Sequence, residues 1–192
     1  MAELWFVRHG ETDFNIVGRY CGSTDAPLNA HGLEQAEALA QTMAGKKFDV
    51  IFSSDLCRAY VTAQATAQVL AMEINVDPRL REINQGEWEG MFYTDIVKQM
   101  EAQLQEKREN PLYFRPPQGE TLVEVIERVS QAVDDIARAY PAGKILIFSH
   151  GLAIATQICR FDGKPYEMAH DLIPANATPV VFEYLPVEEP AK

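Results

Sequence analysis

Residues 4–15 read LWFVRHGETDFN. The first four are apolar, aromatic or β-branched, a composition that suits a short buried strand better than a helix. The run stops abruptly at Arg8, His9 and Gly10. In an open α/β sheet, ligands bind beyond the carboxyl ends of parallel strands, so polar groups placed directly after a buried run are candidates for chemistry. Whether these three matter depends on what the other apolar runs deliver to the same place.

Two further runs end in the same manner. DVIF (49–52) is followed by Ser53, Ser54 and, one helical turn on, Arg58, while KILIF (144–148) is followed by Ser149 and His150. PVVFEYL (179–185) and the weaker INV (74–76) complete the set of expected strands. Between them the apolar period becomes helical, most clearly where Leu122, Val125, Ile126, Val129, Val133, Ile136 and Tyr140 fall on one face. Thr121 and Glu124 form a capping-box pattern at the start of that helix. A second helix is expected over residues 32–44, with Leu33, Ala36, Ala40 and Met43 inward and Gly45 as its stop. A third is expected over 56–70 with Asp55 as its cap, and GLAIATQICR from Gly151 gives a fourth, short and buried.

Alternating strands and helices predict an α/β fold: a three-layer sandwich with a mostly parallel central sheet and helices on both faces. The length of 192 residues fits a single domain over 1–192. Residues 92–119, rich in Gln, Glu, Lys and Arg and then passing Pro111, Pro116 and Pro117, are expected to form a helical excursion and loop covering one edge of the sheet.

If the three polar-ended strands are parallel neighbours, two imidazoles and two guanidiniums meet in one cleft. That suits a phosphate, because guanidinium forks match its oxygens and stay charged. At an effective dielectric constant near 20, a unit charge ~4 Å away contributes about 4 kcal/mol before desolvation, so a dianion calls for about two. The acidic balance, 28 acidic against 17 basic side chains and a net charge of -11, argues against nucleic acid or an anionic membrane as partner. A small phosphomonoester remains compatible, since distant charges are screened.

Cys21, Cys57 and Cys159 are widely spaced and read as reduced thiols. His31 and His170 have no strand-end placement and are assigned no role. No histidine pair or acidic cluster has metal-ligand spacing, so no metal and no cofactor are expected. Neither G-x-x-x-x-G-K-[ST] nor G-x-G-x-x-G occurs. With no leader or membrane-length apolar run, the expectation is a cytoplasmic protein, compatible with a homodimer.

In order along the chain, LWFVRHGETDFN, GRYCGSTDAPLNAHGLEQA, IFSSDLCRAYVTA, LREINQGEWEG and ILIFSHG resemble the histidine phosphatase superfamily, the phosphoglycerate mutase-like proteins. The resemblance implies that His9 is the phosphoryl-accepting nucleophile and that Arg8, Arg58 and His150 hold the phosphoryl oxygens. It further implies that Asn15 lines the pocket, that the Gly151 amide assists, and that Glu82 protonates the leaving oxygen. The resemblance is strongest to the alpha-ribazole phosphatases of cobalamin assembly and to broad-specificity phosphatases. Mutases proper carry an adjacent arginine pair for the substrate carboxylate, and residues 91–121 show none. An isomerase of that type is therefore the weaker expectation, and no site residue is missing that would suggest a binding-only scaffold.

Overall fold

The computed structural model describes residues 1–184. Its sheet has five strands, β1 (Ala2–Arg8), β2 (Val50–Ser53), β3 (Ile74–Val76), β4 (Lys144–Ser149) and β5 (Pro179–Tyr184), in the order β3-β2-β4-β1-β5. β1, β2 and β3 run parallel to their neighbours as far as β4, and β5 is antiparallel on the β1 edge. All five expected runs are therefore strands, although Leu185 lies outside the described residues.

Seven α-helices complete the described chain: α1 (Asp13–Val17), α2 (Ala30–Met43), α3 (Cys57–Leu70), α4 (Tyr93–Gln99), α5 (Glu101–Glu109), α6 (Leu122–Ala139) and α7 (Gly151–Asp162). Two cores flank the sheet. On one face Leu4, Phe6, Ile145 and Ile147 pack against α6 and α7; on the other Val7, Ile51, Leu146 and Phe148 pack against α2 and α3. Successive residues of β1 and β4 serve opposite faces, as the two-residue period of a strand requires. Helices on both faces make the three layers expected, and β4 is buried almost throughout because it is covered above and below.

α6 shows how sequence becomes element. Thr121 accepts the Glu124 amide and Glu124 accepts the Thr121 amide, the reciprocal cap expected from the pattern, worth ~1 kcal/mol. Val125, Val129, Val133 and Ile136 are buried along one stripe, each contributing roughly 1.5–3 kcal/mol.

Two local expectations fail for tertiary reasons. Leu33 is not inward but 46% exposed, and Gly32, Ala36, Leu39, Ala40 and Met43 form the buried face of α2. The helix begins at Ala30, capped by Asn29, and Gly32 packs on the Glu11 backbone so closely that a Cβ would meet Glu11 O at 2.1 Å. That contact rotates the stripe by one position. Asp55 does not cap α3; Leu56 precedes that helix without a side-chain cap bond, and Asp55 pairs with Arg81. The Cys57 amide instead donates to Asp25 Oδ1 at 2.7 Å, a partner from a distant loop.

The 92–119 excursion contains α4 and α5 as expected, but it gathers its own small core. Ile96, Leu104 and Phe114 pack with Trp88 and Tyr20, and Arg19 bridges to Phe92. It therefore packs on the segment that follows β1. No helix among the described residues is long and apolar enough to cross a membrane.

Candidate active site

The register places Arg8 opposite Ser149 and Ser53 opposite Phe148, so the carboxyl ends of β1, β4 and β2 lie side by side. His9 and His150, which follow the first two, have ring centroids 5.2 Å apart. Arg58, from the first turn of α3, is 1% exposed and His150 is fully buried. The residues separated along the chain do converge.

His9 is fixed on every side. Its amide donates to Ser149 O, its carbonyl accepts from Asn176 Nδ2, and its ring Nδ1 lies 2.6 Å from Gly10 O. A carbonyl can only accept, so Nδ1 carries the proton and Nε2 keeps its lone pair. Gly10 is held in turn by its amide donating to Thr62 Oγ1, and its Cα packs so near α2 that a Cβ would fall 2.4 Å from Gly32 O. Burial and then Arg58 push the His9 pKa well below its ordinary value against the opposing effect of the Gly10 carbonyl, and Arg8 adds a smaller push downward. The imidazole is neutral at pH 7 and presents a nucleophilic nitrogen.

The cations around it have unspent donors. Arg58 donates from Nη1 to Thr24 O and from Nη2 to Gly22 O, which ties down the 22–24 loop, while Arg8 donates from Nη1 to Pro174 O. Arg8 Nε, Arg58 Nε and His150 Nδ1 are all buried without a hydrogen-bond partner among the described residues. Burial lowers the Arg8 pKa, Glu82 opposes that and Arg58 adds to it. Burial likewise holds His150 neutral, helped by Arg58 and His9. The buried Nε–H groups of Arg8 and Arg58, two residues of one cavity wall, cost free energy unless an acceptor meets them, and an oxyanion is such an acceptor.

A cavity of about 290 Å³ opens here, with Arg8, His9, Asn15, Arg58 and Glu82 on its wall. Glu82 faces α7: its oxygens accept the amides of Leu152 and Ala153 at 3.0 and 3.1 Å, and its own loop supplies the Ile83 amide. Of the first amides of α7, that of Gly151 is left beside Arg8, whose Nε a Cβ at Gly151 would meet at 3.4 Å. Asn15 reaches the wall while its Oδ1 accepts the Thr12 amide in the capping box of α1. His150 lies beneath His9 and is not on the wall. Among the described residues no three His, Cys, Asp or Glu side chains converge as metal ligands.

Sequence reading passed over several residues of this region. Ser54 Oγ sits 2.9 Å from His150 Nε2 and also accepts the Leu56 amide, so the end of β2 holds the buried imidazole in place. His170, assigned no role, lines the cavity mouth; the walls around it and Lys107 lower its pKa. Arg19 lies over Phe92 at 4.2 Å, and Lys107 over Tyr20 and Trp88 at 5.2 and 5.5 Å, neither making an ion pair among the described residues. Lys107, Arg108, Tyr20, Tyr93 and His170 border an adjoining cavity of about 280 Å³ whose wall has no acidic residue. In the sequence these are only basic residues in a polar helix, a pattern that does not distinguish a cavity wall from a solvated face.

A family model described as histidine phosphatase superfamily (branch 1) matches residues 4–188. The chain belongs to this superfamily. The chain is 34% identical over 165 residues to "Probable phosphoglycerate mutase GpmB" of Serratia proteamaculans, covering 86% of this chain and 77% of that protein. It is 31% identical to phosphoserine phosphatase 1 of Hydrogenobacter thermophilus, covering 85% of this chain and 77% of that protein. Among solved structures, the alpha-ribazole phosphatase of Shigella flexneri superposes with a TM-score of 0.86 at 27% identity, over 94% of this chain and 90% of that one. This histidine phosphatase is thus an enzyme whose relatives act on different leaving groups.

Proposed function

We propose that the protein hydrolyses small-molecule phosphomonoesters, without a metal ion, through a phosphohistidine on His9. The observation that carries this is the locked His9 tautomer: Nδ1 is tied to Gly10 O, and Nε2 is left for a pocket whose wall also carries Arg8 and Arg58, each with a partnerless Nε–H. In the first step Nε2 attacks phosphorus, the bond from phosphorus to the ester oxygen breaks, and Glu82 gives its proton to that oxygen. In the second step water attacks phosphorus, Glu82 takes a water proton, and the phosphorus–Nε2 bond breaks to release phosphate. Such transfers need in-line placement and charge stabilisation above all, and the Arg8, Arg58, His150 and Gly151 donors supply these.

The leaving group follows less directly. Alpha-ribazole 5′-phosphate is the specific candidate taken from the Shigella relative, and it would place the enzyme in cytoplasmic cobalamin assembly; a broad-specificity phosphatase is the other member of this reading. One observation favours a second reading, phosphoglycerate mutase-type isomerisation: Lys107 and Arg108 stand together on the wall of the adjoining cavity, cations where the sequence lacks an arginine pair.

Rapid quench with an activated aryl phosphate tests the chemistry. We expect a burst equal to the enzyme concentration, acid-labile phosphate on the protein, and no effect of EDTA. Stable, undiminished turnover in His9→Ala would end the proposal. A panel of alpha-ribazole 5′-phosphate, phosphoserine and phosphoglycerates then separates the readings, since the isomerase moves phosphate without releasing it.

A further inference from the structure

Glu82 is carried by a segment with no regular structure of its own, between the helical turns Pro78–Leu80 and Gly86–Trp88. Leu80 and Ile83 are buried in the main core and set the path of the chain. Ser149 Oγ holds the Leu80 carbonyl at 2.7 Å, and the carbonyls on either side are held by one side chain of α6. Arg128, on α6, donates from Nη1 to Arg79 O at 2.9 Å and Arg81 O at 2.7 Å, and from Nη2 to Glu82 O at 2.9 Å.

Glu120 holds that guanidinium from its other edge, accepting from Nε at 2.8 Å and Nη2 at 2.9 Å. The same carboxylate accepts the Asn84 amide at 2.8 Å, and the Glu120 amide donates to Asn84 O at 2.8 Å. The pair therefore clasps the segment on both sides of Glu82. Behind it lies a polar cavity of about 260 Å³ bordered by Ser23, Arg81, Glu82, Asn84, Glu120 and Arg128, so packing does not back the carboxylate there. Arg128 itself is absent from the wall of the catalytic cavity.

We propose that Arg128 is a positioning residue for proton transfer: by gripping the carbonyls of Arg79, Arg81 and Glu82 it sets where the Glu82 carboxylate meets the leaving oxygen. A planar fork with five donors can serve three carbonyls and one carboxylate together, which an ammonium or an apolar side chain cannot. The inference rests on Glu82 as the proton donor. A small displacement of a catalytic group from its reacting partner is costly in rate, so a residue distant from substrate can govern the step.

The test compares an alkyl phosphate, whose alkoxide needs a proton, with p-nitrophenyl phosphate, whose phenolate leaves without one. Read as the single-turnover rate of His9 phosphorylation, which excludes the second step that both esters share, Arg128→Met is expected to slow the alkyl ester by on the order of 10-fold or more and the aryl ester by less than about threefold. Glu82→Gln gives the same pattern more strongly, and adding Arg128→Met to it costs less than about twofold further, because both act on one step. If Arg128→Met does not fold, Glu120→Gln reads the same pattern at smaller amplitude. Equal slowing of both esters by Arg128→Met, or an undiminished cost in the Glu82→Gln background, overturns the positioning role and leaves Glu82 as donor. Equal slowing of both esters by Glu82→Gln itself sinks the donor assignment and the positioning role with it.

Discussion

The floor of the site and its rim are built on opposite plans. On the floor, His9, Arg58 and His150 are each less than 5% exposed, held by strand ends and by bonds to backbone. At the rim, Arg19 and Lys107 are held by aromatic faces, which constrain a cation loosely and leave its N–H groups free. The contrast teaches that, on the proposed function, the phosphoryl group would meet a fixed frame and the leaving group an adaptable one.

The sharpest way to break the comparison is at the floor. His9→Ala should lower turnover by at least about 10⁴-fold, measured in single-turnover kinetics, with a circular dichroism spectrum unchanged. Arg58→Met should cost on the order of 10²–10³-fold in kcat, and it should also raise hydrogen exchange in the 22–24 loop that its terminal nitrogens tether. Loss of activity without loosening of that loop would show the two roles of Arg58 to be separable.

Protonation gives the next effect. His9 and His150 have folded pKa values below the ordinary 6.5, so protons favour the unfolded chain. Their contribution to stability is complete above pH 6.5 and declines as pH falls below it, and thermal melts should show Tm dropping through that window. A Tm independent of pH between 6.5 and 5 would contradict the buried, neutral pair.

The rim should respond in the same sense, at higher pH and more weakly. Burial brings the Lys107 pKa down to about 8 from 10.5, so its charge opposes folding below pH 8, and the opposition fades as pH rises from 8 to 10.5. Lys107→Met is expected to raise Tm by about 2–4 °C at pH 7 and to shift KM among esters with little change in kcat on p-nitrophenyl phosphate. The smallest effect marks the boundary of the core: Leu33→Ser, on the exposed side of α2, should change stability by less than about 0.5 kcal/mol in urea melts.

Much of the floor was legible beforehand because a strand's end is a local property. Arg8, His9, Ser149 and His150 follow apolar runs directly, and their assignment needed only the inference that the strands are parallel. Glu82 and Asn15 came from resemblance, since nothing in LREINQG by itself points a carboxylate at a helix amino terminus 70 residues away. Leu33 and Asp55 misled because a helix pattern fixes a stripe only to within one position, and a cap competes with ion pairs from elsewhere. His170 and Lys107 carried no periodic or motif signal at all.

The sequence by itself determined the alternation of strands and helices, the polar residues at three strand ends, and thereby a phosphate-sized chemistry. Those features depend on side-chain period and on composition over a few neighbouring residues. Tertiary structure alone decided which proton His9 carries, which amides Glu82 receives, and that Arg128 grips the segment bearing it. The Glu82 and Arg128 bonds join groups distant along the chain, and the His9–Gly10 bond joins neighbours whose geometry is set by distant partners; each has an energy that exists only when the fold brings donor and acceptor within about 3 Å.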